Sequence, residues 1–512
     1  MSTVVDWRVS VGLLGSVFKY LSLPLVVPLT AALIYGNDAV PFLATVVVAL
    51  GVGLALERLR GDRELGHREA FLLVSLTWLA VPMLGTLPYL LAGVGTVADP
   101  VNALFESMSG FTTTGATLLG EISVERHGHA MMLWRQLTQW LGGMGILVLM
   151  VAILPELSVG GARLISEESP GVGVDKLRPK IRETARILWL IYLGFTVAAV
   201  LVYYGLQLAG FANEMTLYNA IAHALTTMPT GGFSPEARSI EAFSPAIQWA
   251  VVFFMIVAGT NFALFWYVLI GRPEKLVNNS EFRGYIGTMV TISTLVAVLL
   301  FTGLGLASRP AAVGVIPGNL EHAIRQAVFQ VIAIVTTTGY ASMDFNTWDG
   351  TAQATLLFSM FLGGSAGSAA GSIKIIRWYV VQRSIRRELF ITVHPEAVRP
   401  VRTADGVIDE ETIRGLVAFI IVFMLIFVLS TVLILIEGVT NPDIEGGLST
   451  LEAMSVAIAT LGNVGPGFGI VGPMDSYLSF SDPAKIYMVA LMWIGRLEIL
   501  SVVVLFTPSY WK

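Results

Sequence analysis

Ten apolar stretches, each long enough to cross a bilayer, dominate this chain and leave little of it for soluble domains. About 20 residues cross the roughly 30 Å of hydrocarbon in a bilayer. The stretches cover residues 13–36, 39–57, 69–93, 131–155, 184–209, 247–271, 284–306, 351–381, 413–437 and 484–508. Only 13% of the residues are charged, against about 25% in soluble proteins. We therefore predict an all-α polytopic membrane protein and exclude an ordinary soluble enzyme.

Charge alternates between the connections and predicts an orientation. Arg and Lys cluster in the connections at 57–69, 156–186, 271–283 and 374–414, whereas the opposite loops carry mainly Asp and Glu. The positive-inside rule then puts both termini in the cytoplasm. The net charge of −5 gives no indication of nucleic-acid binding. The chain has no cysteine, which excludes disulfides, thiolate metal sites and a cysteine nucleophile.

A short apolar segment followed by a glycine turn recurs four times, at intervals of about 110 to 120 residues, each time between two spans. The segments, each too short to cross, are 101–112, 216–228, 320–336 and 448–460. The glycines that we align in the turns are Gly115, Gly231, Gly339 and Gly462. A single turn of this kind is most simply a buried helix C-cap. Four in the same context predict an internal repeat around one axis.

The physics of the membrane interior indicates what such turns do. Irregular backbone at membrane depth is tolerated where it is buried in protein or lines a water-filled path. A half-helix that points its C-terminus inward favours a cation there, and a glycine with positive φ lets consecutive carbonyls face the axis. A ring of carbonyls can replace the hydration shell of a monovalent cation. The predicted ion-binding residues are Thr113, Thr114, Gly115, Pro229, Thr230, Gly231, Thr337, Thr338, Gly339, Thr460, Leu461 and Gly462.

The repeated unit, with its turns at 112–115, 336–340 and 461–467, resembles the Trk/Ktr/HKT superfamily of potassium transporters. Two extra N-terminal spans make it most similar to the membrane subunit of the Trk branch. The resemblance implies a two-span domain (1–66) and four pore repeats (67–160, 161–275, 276–395 and 396–512). It also implies potassium as the transported ion, no organic cofactor on this chain, a homodimer in the plasma membrane of a prokaryote, and a cytoplasmic nucleotide-binding regulatory subunit. Glycine in all four turns favours potassium over sodium, whereas Pro229 and Leu461 break the strict symmetry.

The same resemblance implies a gate below the filter. The eighth stretch contains a run rich in glycine and serine at 363–372, which does not sustain a straight helix. The family has a flexible intramembrane loop here; the alternative is a tight helix-packing face. Arg496, near the middle of the last stretch, is predicted to narrow the pore, or else to pair with Glu498 or another acidic residue. The predicted gate residues are Gly363, Gly364, Gly367, Gly371, Lys374 and Arg496, with orientation signal as the alternative for Lys374.

Two other functions stay open at this point. A sodium-conducting or poorly selective transporter would share the same architecture. A multi-span membrane enzyme is disfavoured because no nucleophile motif, metal cluster or acid–base pair falls at membrane depth. We therefore expect a non-enzymatic transporter, and the spacing of residues does not decide between channel-like and ion-coupled flow.

Overall fold

Helices form nearly all the regular structure of the chain. The computed structural model describes residues 5–59, 66–152, 174–304, 317–403 and 406–511. Within these ranges the only strands are β1 (Arg402–Thr403) and β2 (Gly406–Val407), which pair as a small antiparallel hairpin. The predicted all-α membrane fold is confirmed.

Three helices precede the repeats: α1 (Trp7–Leu21), α2 (Val26–Tyr35) and α3 (Val40–Glu57). The helices α1 and α2 together make one candidate span, as predicted from 13–36. A Cβ atom added to Gly15 of α1 would lie 2.5 Å from the carbonyl oxygen of Gly53, so two glycines let α1 and α3 approach closely. An ion pair of 2.7 Å between Lys19 and Glu57 joins the same two helices.

An order of long helix, short helix, turn and long helix then recurs four times, and we call the short helix of each unit its pore helix. The first unit contains α4 (His67–Gly85), α5 (Leu87–Ala92), α6 (Pro100–Phe111), α7 (Val124–His127) and α8 (His129–Ala152). The second contains α9 (Val174–Leu208), α10 (Leu217–Thr227), α11 (Pro245–Ala258) and α12 (Phe262–Leu269). The third contains α13 (Glu274–Val277), α14 (Ser280–Thr302), α15 (Leu320–Val335), α16 (Gly350–Ser359) and α17 (Ile375–Val393). The fourth contains α18 (Glu410–Thr440), α19 (Thr450–Leu461), α20 (Asp482–Arg496), α21 (Leu500–Val503) and α22 (Pro508–Trp511).

The four pore helices α6, α10, α15 and α19 begin in the same way. Each has an N-cap side chain that accepts a hydrogen bond from a backbone N–H of the first turn, which satisfies a group that has no partner inside the helix. The caps are Asp99, Thr216, Asn319 and Ser449. We call the face where these helices begin the acidic face, and the opposite one the basic face.

Six helical segments among the described residues are long and apolar enough to span a membrane, or eight if two bent pairs each count as one span. The bent pairs are α11 with α12, at 98°, and α20 with residues 500–506, at 107°. The predicted span 351–381 is not a single helix, because residues 360–374 between α16 and α17 are non-helical. The second span is thus interrupted in three of the four repeats.

Candidate ion-conduction site

The four turns after the pore helices have the same backbone. Thr113, Thr230, Thr337 and Asn463 have φ of 53°, 57°, 55° and 53°. A left-handed conformation is a genuine outlier for a β-branched residue and costs about 1–3 kcal/mol per residue, which the surrounding structure must offset. Two positions later, φ is again positive at Gly115, Gly232, Gly339 and Gly465. Left-handed residues thus alternate with a residue of negative φ in each turn, and this alternation lets successive carbonyls point to one side of the chain.

Hydrogen bonds hold the amide groups of each turn away from the axis. The N–H of Thr114 donates to the carbonyl oxygen of Ser109 in α6 at 2.8 Å. The same bond recurs from Gly231 to Thr226, from Thr338 to Ala333 and from Val464 to Ala459, at 2.8–2.9 Å. Because these amides are bonded to the pore helices, the carbonyl oxygens are the groups left to face the axis.

Contacts between neighbouring turns close a ring. A Cβ atom added to Gly115 would overlap with the carbonyl oxygen of Gly231 in the second repeat. The same overlap would occur between Gly232 and Thr338, between Gly339 and Val464, and between Gly465 and Thr114. Each repeat therefore contacts the next, and the fourth returns to the first. We call residues 112–115, 229–232, 336–339 and 462–465 together the carbonyl ring.

Side chains behind the ring tie the repeats to one another. The Asn463 side chain donates to the Thr114 hydroxyl at 2.9 Å and to the Met492 carbonyl at 3.0 Å. Tyr340 follows the third turn, and its buried hydroxyl hydrogen-bonds to the hydroxyl of Thr226 in α10. These buried hydrogen bonds join the first, second, third and fourth repeats behind the ring, while the Asn463 Oδ1 atom has no partner among the described residues.

A cavity of about 60 Å³ lies beside the ring on the side of the acidic face. Gly115, Gly232, Gly339 and Pro466, one residue from each repeat, all line it. Asp475 also contributes to its wall, and burial, followed by the neighbouring Asp344 carboxylate, raises the pKa of Asp475. This vestibule leads from the acidic face to the ring.

Residues 360–374, which we call the crossing loop, lie directly against the ring on its other side. The N–H of Gly371 donates to the Thr337 hydroxyl at 2.7 Å, and a Cβ atom on Gly371 would overlap with the Gly462 carbonyl oxygen. The N–H of Ser365 donates to the Gly259 carbonyl, at the break between α11 and α12, at 2.8 Å. The loop therefore contacts the second, third and fourth repeats.

The predicted gate residues all lie in or against this loop. Gly363 and Gly364 form its start, where Gly363 bridges to Lys374, and Gly367 forms its far end, where its carbonyl accepts from the Phe262 N–H at 3.1 Å. The side chain of Lys374 is buried and donates to the Ala370 carbonyl within the loop. The part of Lys374 in a gate stays a prediction.

Arg496 is 3% exposed and lies beside the crossing loop. Its Nη1 donates to the Ala369 carbonyl at 2.8 Å, whereas Nε and Nη2 have no partner in the part of the chain that the structure describes. The alternative pairing with Glu498 does not occur, because Glu498 instead accepts from Arg377. The guanidinium thus places a positive charge against the crossing loop, and no carboxylate of the described residues pairs with it.

The sequence alignment of the turns is wrong in two of the four repeats. The left-handed glycines are Gly232 and Gly465, one and three residues beyond the glycines chosen from the sequence. Gly231 fills the position of Thr114 and Thr338, and Gly462 that of Thr112 and Thr336. Thr460 and Leu461 form the last turn of α19. The assignment of residues to ion binding stays a prediction, now with Asn463, Val464, Gly465 and Gly232 included.

Three buried polar residues behind the ring were missed in the sequence: Glu106, Arg135 and Gln139. Glu106 accepts from Arg135 Nε at 2.6 Å and from the Leu118 N–H at 2.7 Å, and Arg135 donates to the Ser234 carbonyl at 2.9 Å. For Glu106 and Arg135 the available signal was a charge inside an apolar stretch, which marks a functional candidate by default, whereas the uncharged Gln139 gave no such signal. Glu106 lies in the first half-length segment and Arg135 in the fourth predicted span.

Known proteins resemble this chain over its full length. A family model described as a cation transport protein of the TrkH type matches residues 42–512. The Trk system potassium uptake protein TrkH of Escherichia coli K12 is 38% identical over 98% of both chains. The TrkH protein of Vibrio parahaemolyticus is 34% identical over 99% of this chain and 100% of its own. The crystal structure of the potassium transporter TrkH from Vibrio parahaemolyticus superposes with a TM-score of 0.84 and 32% identity, covering 99% of this chain and 100% of that one. This multi-pass membrane protein therefore belongs to the TrkH family of cation transport proteins.

Proposed function

We propose that this chain takes up potassium into the cell through the carbonyl ring. The observation that carries the proposal is the closed ring itself, in which four equivalent turns direct their amides into the pore helices. A set of carbonyl oxygens at one axis is the chemistry that replaces the hydration shell of potassium. The C-terminal ends of the pore helices add a favourable potential for a cation at the same place. The names of the relatives, which are potassium uptake proteins, agree with this function.

The ion-binding part of the proposal uses the register of the structure. The binding groups are the main-chain carbonyls of 112–115, 229–232, 336–339 and 462–465, rather than those of Thr460 and Leu461. In this register, the second residue of each four-residue turn is left-handed, and the fourth residue is a left-handed glycine. Near-equivalent ligands from four sides favour one monovalent ion on the axis over a divalent ion held by carboxylates.

The gate consists of the crossing loop and Arg496. The loop contacts the ring through Gly371, and Arg496 holds the loop through the Ala369 carbonyl. Movement of the loop away from Thr337 and Gly462 would open the path toward the basic face. The charge of Arg496 raises the electrostatic barrier to a cation that passes it.

The chain acts as a homodimer with both termini in the cytoplasm of a prokaryotic cell. Exposed Arg and Lys residues on the basic face, such as Arg272, Lys275 and Arg386, support this orientation. A cytoplasmic nucleotide-binding subunit docks on that face and moves the crossing loop through α17, which begins directly after it. This arrangement keeps nucleotide chemistry on the partner and makes the chain a transporter without enzymatic activity.

The test is rubidium or potassium uptake into liposomes that contain only this chain. We expect accumulation that follows the ion gradient, competition by potassium, and weak competition by sodium. Equal competition by both ions would instead support a sodium-conducting or unselective transporter. Absence of any cation flux from folded, membrane-inserted protein would contradict the proposal and leave the membrane enzyme as the alternative.

A further inference from the structure

Two side chains outside the ring donate a hydrogen bond to a ring carbonyl: Tyr477 donates to the carbonyl of Gly465 at 2.7 Å, and Gln139 donates to that of Gly231. Gln139 lies on α8 and is fully buried. Its Nε2 donates to the Gly231 carbonyl at 2.7 Å, and its Oε1 accepts from the Phe233 N–H at 3.0 Å. The two bonds fix the orientation of the amide, since the donor end meets a carbonyl and the acceptor end meets an N–H. Gln139 therefore bridges the left-handed Gly232 from both sides.

The second repeat is built to accommodate this side chain. The residue at position 231 is glycine, whereas the equivalent residues are Thr114, Thr338 and Val464. The φ of Gly231 is not positive, so conformation does not require glycine there. A Cβ atom at this position would overlap with Cδ and Oε1 of Gln139. The glycine is needed for space, and the occupant of that space is the Gln139 amide.

The other three repeats leave the equivalent carbonyl without a donor. Across the described ranges, no side chain or backbone N–H donates to the carbonyl oxygen of Thr114, Thr338 or Val464. A carbonyl that shares its charge with an amide presents a weaker field to an ion than one that does not. The ring is thus symmetric in backbone shape and asymmetric in electrostatics.

A neighbouring side chain, Arg135, contacts the two residues that follow the turn of the second repeat. Arg135, one helical turn before Gln139, donates to the Ser234 carbonyl at 2.9 Å, and its guanidinium carbon lies 3.5 Å from the centre of the Phe233 ring. Arg135 thus holds residues beyond the ring, whereas Gln139 donates to the Gly231 carbonyl of the ring. The two roles are separable by substitution.

We propose that Gln139 is a positioning residue that sets the place and field strength of the Gly231 carbonyl, and through it the discrimination between potassium and sodium. The inference rests on the proposed function. The field strength of the coordinating carbonyls is one of the quantities that governs this discrimination. A weaker field favours the larger ion, which is dehydrated more easily. Loss of the Gln139 donor strengthens the field in one quarter of the ring and frees that quarter to move toward a smaller ion.

The experiment compares Gln139→Met with Gln330→Met in liposomes that contain the full chain. Methionine has nearly the length of glutamine and cannot donate. Gln330 is the matched control, because it is equally buried in pore helix α15 but donates to the Ser342 hydroxyl, not to a ring carbonyl. The readout is the potassium-to-sodium permeability ratio, with thermal stability measured in parallel.

We expect Gln139→Met to lower that ratio by about threefold to tenfold, the range of one net hydrogen bond, and Gln330→Met to leave it unchanged. If Gln139→Met does not fold, Gly231→Ala is the second variant, because its methyl group displaces the same amide and should give the same shift. An unchanged permeability ratio in folded variants would overturn the inference about Gln139. Potassium flux through the wild-type chain would still support the proposed function in that case. A wild-type chain that carries no potassium would overturn both.

Discussion

The carbonyl ring and the crossing loop lie in direct contact, yet they are built by opposite rules. The ring is made four times over, from four left-handed residues and four left-handed glycines in near-identical positions. The crossing loop is made once, by the third repeat, and its guanidinium partner Arg496 is supplied once, by the fourth. Coordination of an ion on an axis needs equivalent groups from all sides, whereas closing a path needs one element that can move.

The hydrogen bonds of the carbonyl ring are repeated in each repeat, whereas those of the crossing loop each occur once. Each turn of the ring returns its N–H to its own pore helix and is braced by the next repeat. The crossing loop is bonded to three repeats, since Ser365 donates to the Gly259 carbonyl of the second, Gly371 donates to the Thr337 hydroxyl of the third, and Arg496 of the fourth donates to the Ala369 carbonyl. A loop held by single bonds to several repeats can exchange them together when those repeats move.

The largest expected effect comes from substituting Gly465, the glycine of the fourth repeat that lies in the left-handed position of the ring. Gly465→Ser places a side chain at φ of +106° and 2.5 Å from the Thr114 carbonyl. We expect potassium selectivity over sodium to fall by about tenfold or more, because strain and overlap both displace the ring. The measurement is the permeability ratio in liposomes.

Gly462→Ser is the matched control for that variant. Position 462 has φ of −83°, and its equivalents Thr112 and Thr336 already carry side chains. We expect a smaller loss of selectivity than at Gly465, because the added Cβ atom would meet the Ile458 carbonyl oxygen of its own helix, at 2.7 Å, and no neighbouring repeat. A larger effect at 462 than at 465 would restore the register chosen from the sequence and contradict the alignment of the repeats.

Removal of the charge beside the loop has the next largest effect. Arg496→Ala should raise basal potassium flux by about tenfold, since a buried charge without a carboxylate partner repels a passing cation. Flux through liposomes that lack any regulatory subunit measures this directly. Arg272→Ala, an exposed residue of the basic face, is the control and should keep the wild-type rate. Unchanged flux and regulation in Arg496→Ala would contradict a role of this residue in the gate.

The fit of the loop against the ring can be loosened by one methyl group. Gly371→Ala overlaps with the Gly462 carbonyl and should displace the crossing loop, which raises basal flux by about fivefold. Gly350→Ala is the control, because no atom lies within 4 Å of the added methyl group. A decrease in flux for Gly371→Ala would show that the displaced loop enters the path instead of leaving it.

The smallest expected effect concerns the vestibule. Because the pKa of Asp475 is raised by burial and by Asp344, this carboxylate gains a proton earlier than an ordinary aspartate as the pH falls. The vestibule then loses a negative charge, and uptake at low potassium should fall by less than about twofold at physiological salt. Asp475→Asn should show the lower uptake at neutral pH and lose this part of the pH profile. Asp443→Asn, exposed in another acidic loop, should match the wild type.

Features that depend on segment length and apolarity, such as the pore helices, can be predicted from the sequence. The choice of the left-handed glycine in a turn depends on a single backbone angle and cannot. Pore helix α6, expected at 101–112, runs from Pro100 to Phe111. In contrast, Gly231 and Gly232 are adjacent and chemically identical in the sequence, and only their φ values separate them. The fourth repeat offers both Gly462 and Gly465, and a match to the Thr-Gly pattern favoured the wrong one.

Contacts between repeats are the other part that sequence reasoning did not reach. Gln139 and Gly231 are 92 positions apart, and nothing in their spacing predicts that the first fills the space left by the second. Glu106 and Arg135 were visible as charges among apolar residues, but their pairing depends on how α6 packs against α8. The glycine-rich run at 363–372 was recognisable from composition, although its contact with Thr337 was not.

Anomalous diffraction from crystals soaked in thallium or rubidium would locate the bound ion. We expect an anomalous peak on the axis of the carbonyl ring, between the turns at 112–115, 229–232, 336–339 and 462–465. We also expect sodium to compete poorly for this position. Heavy-ion peaks found only outside the ring, with none on its axis, would contradict the claim that the four turns form one potassium site.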